Sequence, residues 1–449
     1  MNSLTYMQLL RANRSFRRLW LGQVVSELGN WFYFIAALGL VRLVTNNAAG
    51  ATTIILLARL APFTLFAPLA GAFVDRWSRR SVMIVTDLAR AVVTLSLLLV
   101  HTPGDLWIAY ACTVLLSLFG AFFEAAKNAA VPNITGDSDL LAGNALMFSS
   151  RFLLMSFGAA LGGWTASHFG YKAAFIINSA SFLVSAYSVW LIPDSDTRQS
   201  LQAVAASHQS DLSRRRASYW TDIREGWSYI VRHAPVATIL GINILWATGG
   251  GAINLIIDRL GGLVFAGQQG MTGDSAVAGL YVANGIGLFI GMMIARRVGT
   301  YLELRHRTVT FLGWALVAQG FIFAVMGLMP TLLLASIMLL MSRVVLGVEF
   351  AIQETLLMRL VPDNLRGRVS TTDRATELLV WSFSTVVAGW SLRAITPRTL
   401  TIISGVLSAS SGAVWLALFA LKRVRLPQRS DDTGTQTEAE VVSLLSVRN

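Results

Sequence analysis

Charged side chains fall deep inside stretches that are otherwise apolar, and chemistry is to be sought there first. Glu27, Arg59, Arg90, Arg151, Arg343, Glu349 and Glu377 each sit within a run of about twenty predominantly apolar residues. A charge at such a position is costly to keep, so each is a functional candidate by default. At about 1.5 Å per residue, Glu27, Arg90, Arg151, Glu349 and Glu377 all fall about 12 Å from one end of their runs. Carboxylates held there, away from bulk water, can bind and release protons, which makes Glu27, Glu349 and Glu377 candidates for proton coupling. Glu27 is expected among apolar neighbours (Val24, Val25, Leu28, Trp31), with Arg90 or Arg151 available to neutralise it. Arg59 and Arg343 fall nearer the middle of their runs, where an anionic substrate or a backbone carbonyl would meet them. Trp31, Phe34, Trp246 and Trp381 are placed either to line an apolar cavity or simply to pack. Glu124 and Glu354, closer to run ends, read as structural.

Other chemistries lack their residues. There is no G-x-x-x-x-G-K-[ST] phosphate loop and no H-E-x-x-H pair. The five histidines have no ligand spacing, and the single Cys112 excludes an internal disulfide or a zinc cluster. No cofactor and no metal are expected. A polytopic membrane enzyme, the reading from another class, would need paired acid/base or metal-ligand residues at one face, and the sequence has none.

The elements that carry these charges follow from composition. Only 13% of the 449 residues are charged, 54% are hydrophobic, and the mean hydropathy is +0.59. A soluble chain would carry roughly 25% charged residues, so most of this surface must face lipid. The net charge of +12 sits in short basic runs between apolar stretches, which argues for a membrane topology signal and against nucleic acid. Apolar runs occur near 18–42, 51–74, 82–101, 105–127, 143–166 and 171–192, then 235–257, 275–297, 308–329, 331–358, 368–392 and 398–421. Twelve spanning helices are therefore expected, in two bundles (18–193 and 235–425), with a tail over 1–17, a linker over 194–234 and a disordered tail over 426–449. The N-terminal stretch reads as a retained amphipathic tail rather than a signal peptide. In the linker, Trp220, Ile223, Trp227 and Ile230 recur at helical spacing. They predict an amphipathic helix that either lies among lipid headgroups or packs on the bundle ends. Arg11, Arg14, Arg17, Arg18, Arg76, Arg79, Arg80, Arg214–Arg216, Arg296, Arg297, Arg366, Arg368 and Lys422 all fall on one side of such a model. Little more than Arg42, Lys172, Arg259, Arg393 and Arg398 falls on the other. The excess of basic residues puts both termini in the cytoplasm of a bacterial inner membrane.

The halves echo each other. FEAAKNAAVP (Phe123–Pro132) and QETLLMRLVP (Gln353–Pro362) close the fourth and tenth runs, each with a glutamate eight residues before an expected helix-ending proline. Such duplication places a binding site between halves. The second-to-third connection reads GAFVDRWSRR (Gly71–Arg80), followed by Asp87 and Arg90. There Gly71 permits close helix approach, and Asp75 can hold arginines or face a helix N-terminus. The fifth run, Gly158–Phe175, carries a stripe of small residues suited to tight packing.

Gly71–Arg80 resembles the G-x-x-x-D-R-x-x-R-R signature of the major facilitator superfamily, and Gly158–Phe175 resembles its fifth-helix glycine-rich motif, with Ala159 at a position where proline is common. Asp87–Arg90, the Pro132–Asn144 segment and Pro362–Val369 look most like the macrolide-efflux and enterobactin-exporter branch. In the second half the loop signature is degraded, with Ala295 where an aspartate would sit. The resemblance covers about residues 15–425. It implies an all-α polytopic fold of two pseudo-symmetric six-helix bundles, a gating loop (Gly71, Asp75, Arg76, Arg79, Arg80, Asp87, Arg90), a small-molecule substrate and protons as the coupling ion. The expected protein is a monomeric, proton-coupled exporter of small amphipathic molecules. A siderophore or lysophospholipid carrier of the same fold is the alternative.

Overall fold

The computed structural model describes residues 6–74, 77–136, 139–197 and 219–421. Among these residues every regular element is helical, as a chain in lipid requires when its backbone groups must be satisfied internally. The first group comprises α1 (Tyr6–Ala12), α2 (Arg14–Val44), α3 (Ala49–Val74), α4 (Arg79–Leu95), α5 (Leu106–Thr135) and α6 (Leu140–Trp190). The connection holds α7 (Asp194–Thr197) and α8 (Tyr219–Arg232). The second group is α9 (Ala234–Gly250), α10 (Ile253–Arg259), α11 (Gly273–Leu304), α12 (Thr308–Met326), α13 (Leu332–Leu360), α14 (Asp363–Ser391) and α15 (Pro397–Ala420).

Short polar side chains set several starts. Asn13 accepts from the Phe16 amide (2.8 Å) to open α2, and Ser78, Thr272, Thr331 and Thr396 do the same for α4, α11, α13 and α15. The 51 residues of α6 are two helices in series. Gly170 takes φ +77°, which only glycine adopts without strain, and divides α6 into a first arm (140–169) and a second arm (171–190) where the two apolar runs were expected.

Ten helices are long and apolar enough to cross a membrane among the described residues, with α6 counted once. Twelve were expected: dividing α6 at Gly170 gives an eleventh, and the helix at the place of the remaining one is α14. That helix has 29 residues but falls short on apolarity, because Asp363, Arg366, Arg368, Asp373, Arg374 and Glu377 crowd its first half. Pro132 does not end α5, as expected, but lies inside it, and the helix continues to Thr135. Pro362 does separate α13 from α14.

The small-residue stripe packs on two sides. A Cβ at Gly158 would come within 2.7 Å of Trp31 Cβ, and one at Gly162 within 3.0 Å of Phe32 Cα, so α2 and α6 touch backbone to backbone. One residue on, Gly163 faces Asp274 and Ala278 of α11, across the boundary between halves. The second cross-half seam is α3 on α14, with Gly389 against Thr53. Connector helix α8 docks on the second half. Arg368 pairs with Glu225, the Tyr229 hydroxyl donates to the Leu360 carbonyl (3.3 Å), and Ile230 is buried (2% exposed). Trp227 stays 45% exposed, so one face packs on the bundle and another is free for headgroups; the side chains of Trp220 and Ile223 lie outside the described residues. The expected tails and linker at 198–218 and 422–449 also lie outside them.

Candidate functional site

At mid-depth α2, α3 and α11 meet around an arginine. Trp31 and Phe34 are three residues apart and share one face of α2. Arg59 of α3 lays its guanidinium over Phe34, 3.9 Å from the ring centroid, and 5.7 Å from that of Trp31. Tyr281 of α11 packs on both rings, with centroids 5.4 and 5.5 Å away, and its hydroxyl donates to Asn254 Oδ1 at 2.9 Å. Cation–π contact offsets part of the cost of burying Arg59. Even so, Arg59 Nη1 and Trp31 Nε1 have no hydrogen-bond partner. Three sequence candidates (Trp31, Phe34, Arg59) thus form one cluster, closed from the other half by Tyr281, which the sequence reading missed.

Beyond this cluster, toward the end at which the chain enters α2, a cleft of ≈ 530 Å³ opens. Its charged lining comes from α2 (Glu27), α5 (Glu124, Lys127) and the first arm of α6 (Arg151), with Trp20 and Phe148 as apolar wall. Arg151 Nε lies 3.9 Å from Glu27 Oε1, Asn30 Nδ2 donates to Glu27 Oε2 at 3.4 Å, and Lys127 Nζ lies 2.7 Å from Glu124 Oε1. The expectation of apolar surroundings for Glu27 is corrected. Trp20, Gln23, Val24 and Glu27 form the face of α2 turned to the cleft, whereas Leu28 beside it in sequence does not line it. Glu124, read as structural, belongs to this lining. Arg90 is not a partner of Glu27: it pairs with Asp87 one turn back on α4, its guanidinium between the rings of Phe123 (4.6 Å) and Phe182 (4.4 Å).

At the opposite end the halves are locked together. Arg42, near the end of α2, donates to Asp258 of α10 and Asp274 of α11. Tyr171 donates to the other oxygen of Asp274 (2.8 Å). Arg259, beside Asp258 (3.4 Å), donates to the carbonyls of Asn47 and Ala48 and to the Thr52 hydroxyl. All four charged groups are buried: Arg42 5%, Asp258 0%, Arg259 1% and Asp274 8% exposed. Two cations face two carboxylates, so the network is charge-balanced, as burial demands. By sequence alone Arg42 and Arg259 stand only as isolated basic residues on the sparsely charged side. The available signal was the Asp258–Arg259 pair standing in the apolar stretch INLIIDRLGGLVF.

The second half holds its candidates apart. Glu349 is 3% exposed, its Oε1 has no hydrogen-bond partner, and it has no ion-pair partner among the described residues. Glu377 accepts from Arg374 at 2.7 Å on the same helix. Nearby polar groups join three helices: Gln353 Nε2 donates to Asn243 Oδ1 (2.5 Å), and Asn243 Nδ2 donates to Asp373 Oδ2 (3.2 Å). Trp246 and Trp381 face each other with centroids 6.1 Å apart. Arg343 is buried beneath Phe323 (5.1 Å), and its Nε is unpartnered. The common depth expected for Glu27, Glu349 and Glu377 therefore covers three different environments: an open cleft, a packed interior and an intrahelical ion pair.

In the expected gating loop, Asp75 and Arg76 lie outside the described residues. A Cβ at Gly71 would meet nothing within 4 Å, so close helix approach is not its role here. Arg79 donates to the carbonyls of Ala129 (2.8 Å) and Thr197 (3.3 Å), and Arg80 to that of Trp190. Ser78 donates to Asp194 Oδ1 (2.9 Å). These bonds bind the start of α4 to the ends of α5 and α6 and to α7 of the connection.

Comparison with known proteins agrees with this geometry. A family model described as Major Facilitator Superfamily matches residues 19–384. Among curated relatives, YfiS of Bacillus subtilis (strain 168), an uncharacterized MFS-type transporter, is 24% identical over 226 residues, 50% of this chain and 51% of that one. BacE of the same organism, proposed by its name to export bacilysin, is 26% identical over 183 residues, 41% of this chain and 45% of its own. The chain spans about half the length of the curated relatives it matches. Among solved structures, a peptide transporter of the POT type superposes with TM-score 0.67 at 11% identity, covering 93% of this chain and 99% of that one. The nucleoside transporter NupG gives 0.66 at 16% (90% and 99%). A bacterial homologue of the iron transporter ferroportin in an inward-facing state gives 0.61 at 15% (90% and 98%). At these identities the structural likeness is one of fold.

Proposed function

The chain belongs to the Major Facilitator Superfamily, and from that premise we propose that it is a proton-coupled exporter of small amphipathic molecules, working by alternating access. It is a multi-pass membrane protein and a transporter by family; direction, coupling ion and substrate are the proposal. The observation that carries the reading is the asymmetry of the closed and open ends. A buried, charge-balanced network joins the halves at the Arg42–Asp258–Asp274 end, while a cleft lined by charge is open at the other. The basic-residue asymmetry supports a cytoplasmic open end, with both termini on that side of a bacterial inner membrane. A molecule enters the cleft from the cytoplasm. Parting of the sealed end and closure of the cleft, by rocking of one half against the other about the α3–α14 and α6–α11 seams, then releases it outside.

Glu27, Glu349 and Glu377 are the carboxylates assigned to proton coupling. Glu349 is the strongest of them, since it is buried with an oxygen that has no partner among the described residues. Glu27 lies where proton and substrate both arrive. Export, rather than uptake, is supported by the likeness to BacE, whose own name refers to export. The protein acts as a monomer in the bilayer.

The test is a susceptibility panel in an efflux-deficient bacterial host, paired with uptake into inverted membrane vesicles under an imposed pH gradient. Protection against at least one amphipathic compound, with gradient-dependent accumulation of it in inverted vesicles, is expected. Accumulation only in right-side-out cells would reverse the direction, and accumulation indifferent to a proton uncoupler would remove protons from the mechanism.

A further inference from the structure

The cleft is more specific than its apolar walls require. Glu27 and Arg151 touch at one point only, 3.9 Å apart through Arg151 Nε, with the Arg151 side chain 64% and the Glu27 side chain 28% exposed. Arg151 donates no hydrogen bond among the described residues, and the single bond that Glu27 accepts, from Asn30, is long at 3.4 Å. A loose ion pair in an open, wet cleft contributes little and is easily entered by a third group. By contrast Glu124 and Lys127, in the same lining, make a close pair at 2.7 Å and are already satisfied.

The free terminal nitrogens of Arg151 form a planar fork that matches a carboxylate in two parallel hydrogen bonds. Glu27, beside it, matches an ammonium. Trp20 and Phe148 flank the cleft and offer apolar contact, and ≈ 530 Å³ is room for a molecule of dipeptide size. We propose that the Glu27–Arg151 pair is a subsite for the carboxylate and ammonium of a zwitterionic substrate with an apolar side chain, a modified amino acid or short peptide in chemical class. A purely cationic amphiphile would leave Arg151 facing its positive charge. The assignment rests on the exporter reading and narrows it. It also joins the two ligands of that mechanism, because a proton arriving at Glu27 displaces the substrate ammonium from the same carboxylate. The charged groups that act on this carboxylate are Arg151 from α6 and the buried Arg59 from α3, while Glu124 and Lys127 from α5 line the same cleft.

The experiment measures binding, independently of direction and of any gradient. The full-length protein, purified in detergent, is titrated by intrinsic tryptophan fluorescence with three probes: L-alanyl-L-phenylalanine, its methyl ester (cation only) and its N-acetyl form (anion only). The dipeptide is expected to bind at least tenfold more tightly than either derivative. Arg151→Gln is expected to erase the preference over the ester, and Glu27→Gln the preference over the N-acetyl form. Arg151→Lys should restore only part, since an ammonium lacks the fork. An ester that binds as tightly as the dipeptide overturns the proposal, as does a preference unchanged in Arg151→Gln, or binding of none of the three. The two readings fail separately. Binding of the dipeptide without gradient-driven transport would sink the exporter and leave the subsite. Gradient-driven efflux of a cationic dye with no zwitterion preference would do the reverse.

Discussion

Glu27 and Glu349 are both carboxylates in membrane-spanning helices, yet their surroundings call for different responses to the same substitution. Glu27 faces Arg151 at 3.9 Å in an open cleft, and Arg151 is mostly exposed. Glu27→Gln leaves Arg151 to the water of the cleft, so loss of that pair should cost no more than about 1 kcal/mol, as for other exposed pairs. Thermal unfolding in detergent should shift by a few degrees at most, and no second change at Arg90 should matter, because Arg90 is held by Asp87, Phe123 and Phe182. A large fall in melting temperature, relieved by a substitution at Arg90, would contradict this placement. Glu349 instead sits in a packed interior with Oε1 unpartnered. Glu349→Gln keeps its shape and removes its proton chemistry, so expression and melting should match the parent. Efflux driven by a pH gradient should fall at least tenfold, while exchange of substrate against substrate, which needs no net proton, survives. Undiminished pH-driven efflux in reconstituted vesicles would clear Glu349 of any coupling role.

Among the elements, the start of α4 most directly tests what the loop motif does. Asp87 is fully buried and holds Arg90 between two aromatic rings, while Arg79 and Arg80 tie the same helix to the ends of α5 and α6. Asp87→Asn strands a buried guanidinium, which costs about 3–5 kcal/mol when burial is complete. A marked drop in melting temperature is expected, and the double change Asp87→Asn with Arg90→Leu should recover much of it. Full recovery of folding without recovery of transport would separate a gating role from a structural one; an unchanged melting temperature in the single variant would deny the structural one. Most of the helices were legible in the sequence because a spanning helix needs only length and apolarity, and both are local properties. The helix least legible as a span was α14, whose apolar tail follows a charged first half, and Pro132 misled because a proline in the last turns of a helix loses one bond without ending it. The site was legible only as a list. Depth along a run is readable from sequence, but which way a side chain faces around its helix depends on packing. That is why the sequence leaves Arg90 and Arg151 as alternative partners for Glu27, of which only Arg151 lies near it in the structure, reads Glu124 as structural, and gives no sign of Tyr281.

For the whole molecule, the proposed alternation makes the buried network at the end remote from α1 the element to test. Arg42 of the first half engages Asp258 and Asp274 of the second, and Arg259 reaches back to the carbonyls of Asn47 and Ala48. Such a network holds one state only to the extent that its bonds are lost in the other, and each 1.4 kcal/mol of that difference changes the ratio of states about tenfold. Asp274→Asn removes one carboxylate from Arg42 but leaves a side-chain oxygen for the Tyr171 hydroxyl, so the fold should hold while the seal loosens. Thr53 reports the opening: it is buried at the α3–α14 seam against Gly389, on the same side of the aromatic cluster as the network. With Cys112, the sole native cysteine, replaced by alanine, Thr53→Cys should react slowly with a membrane-impermeant maleimide applied from the outer face. Adding Asp274→Asn should raise that rate about tenfold or more, and should lower the reactivity of a second reporter, Asn144→Cys, at the open cleft. A reciprocal change at the two ends is what alternation between two states requires. Faster labelling at Thr53→Cys with no change at Asn144→Cys would instead mean local fraying of the seam, and no change at either would show that the network contributes nothing to the closed state.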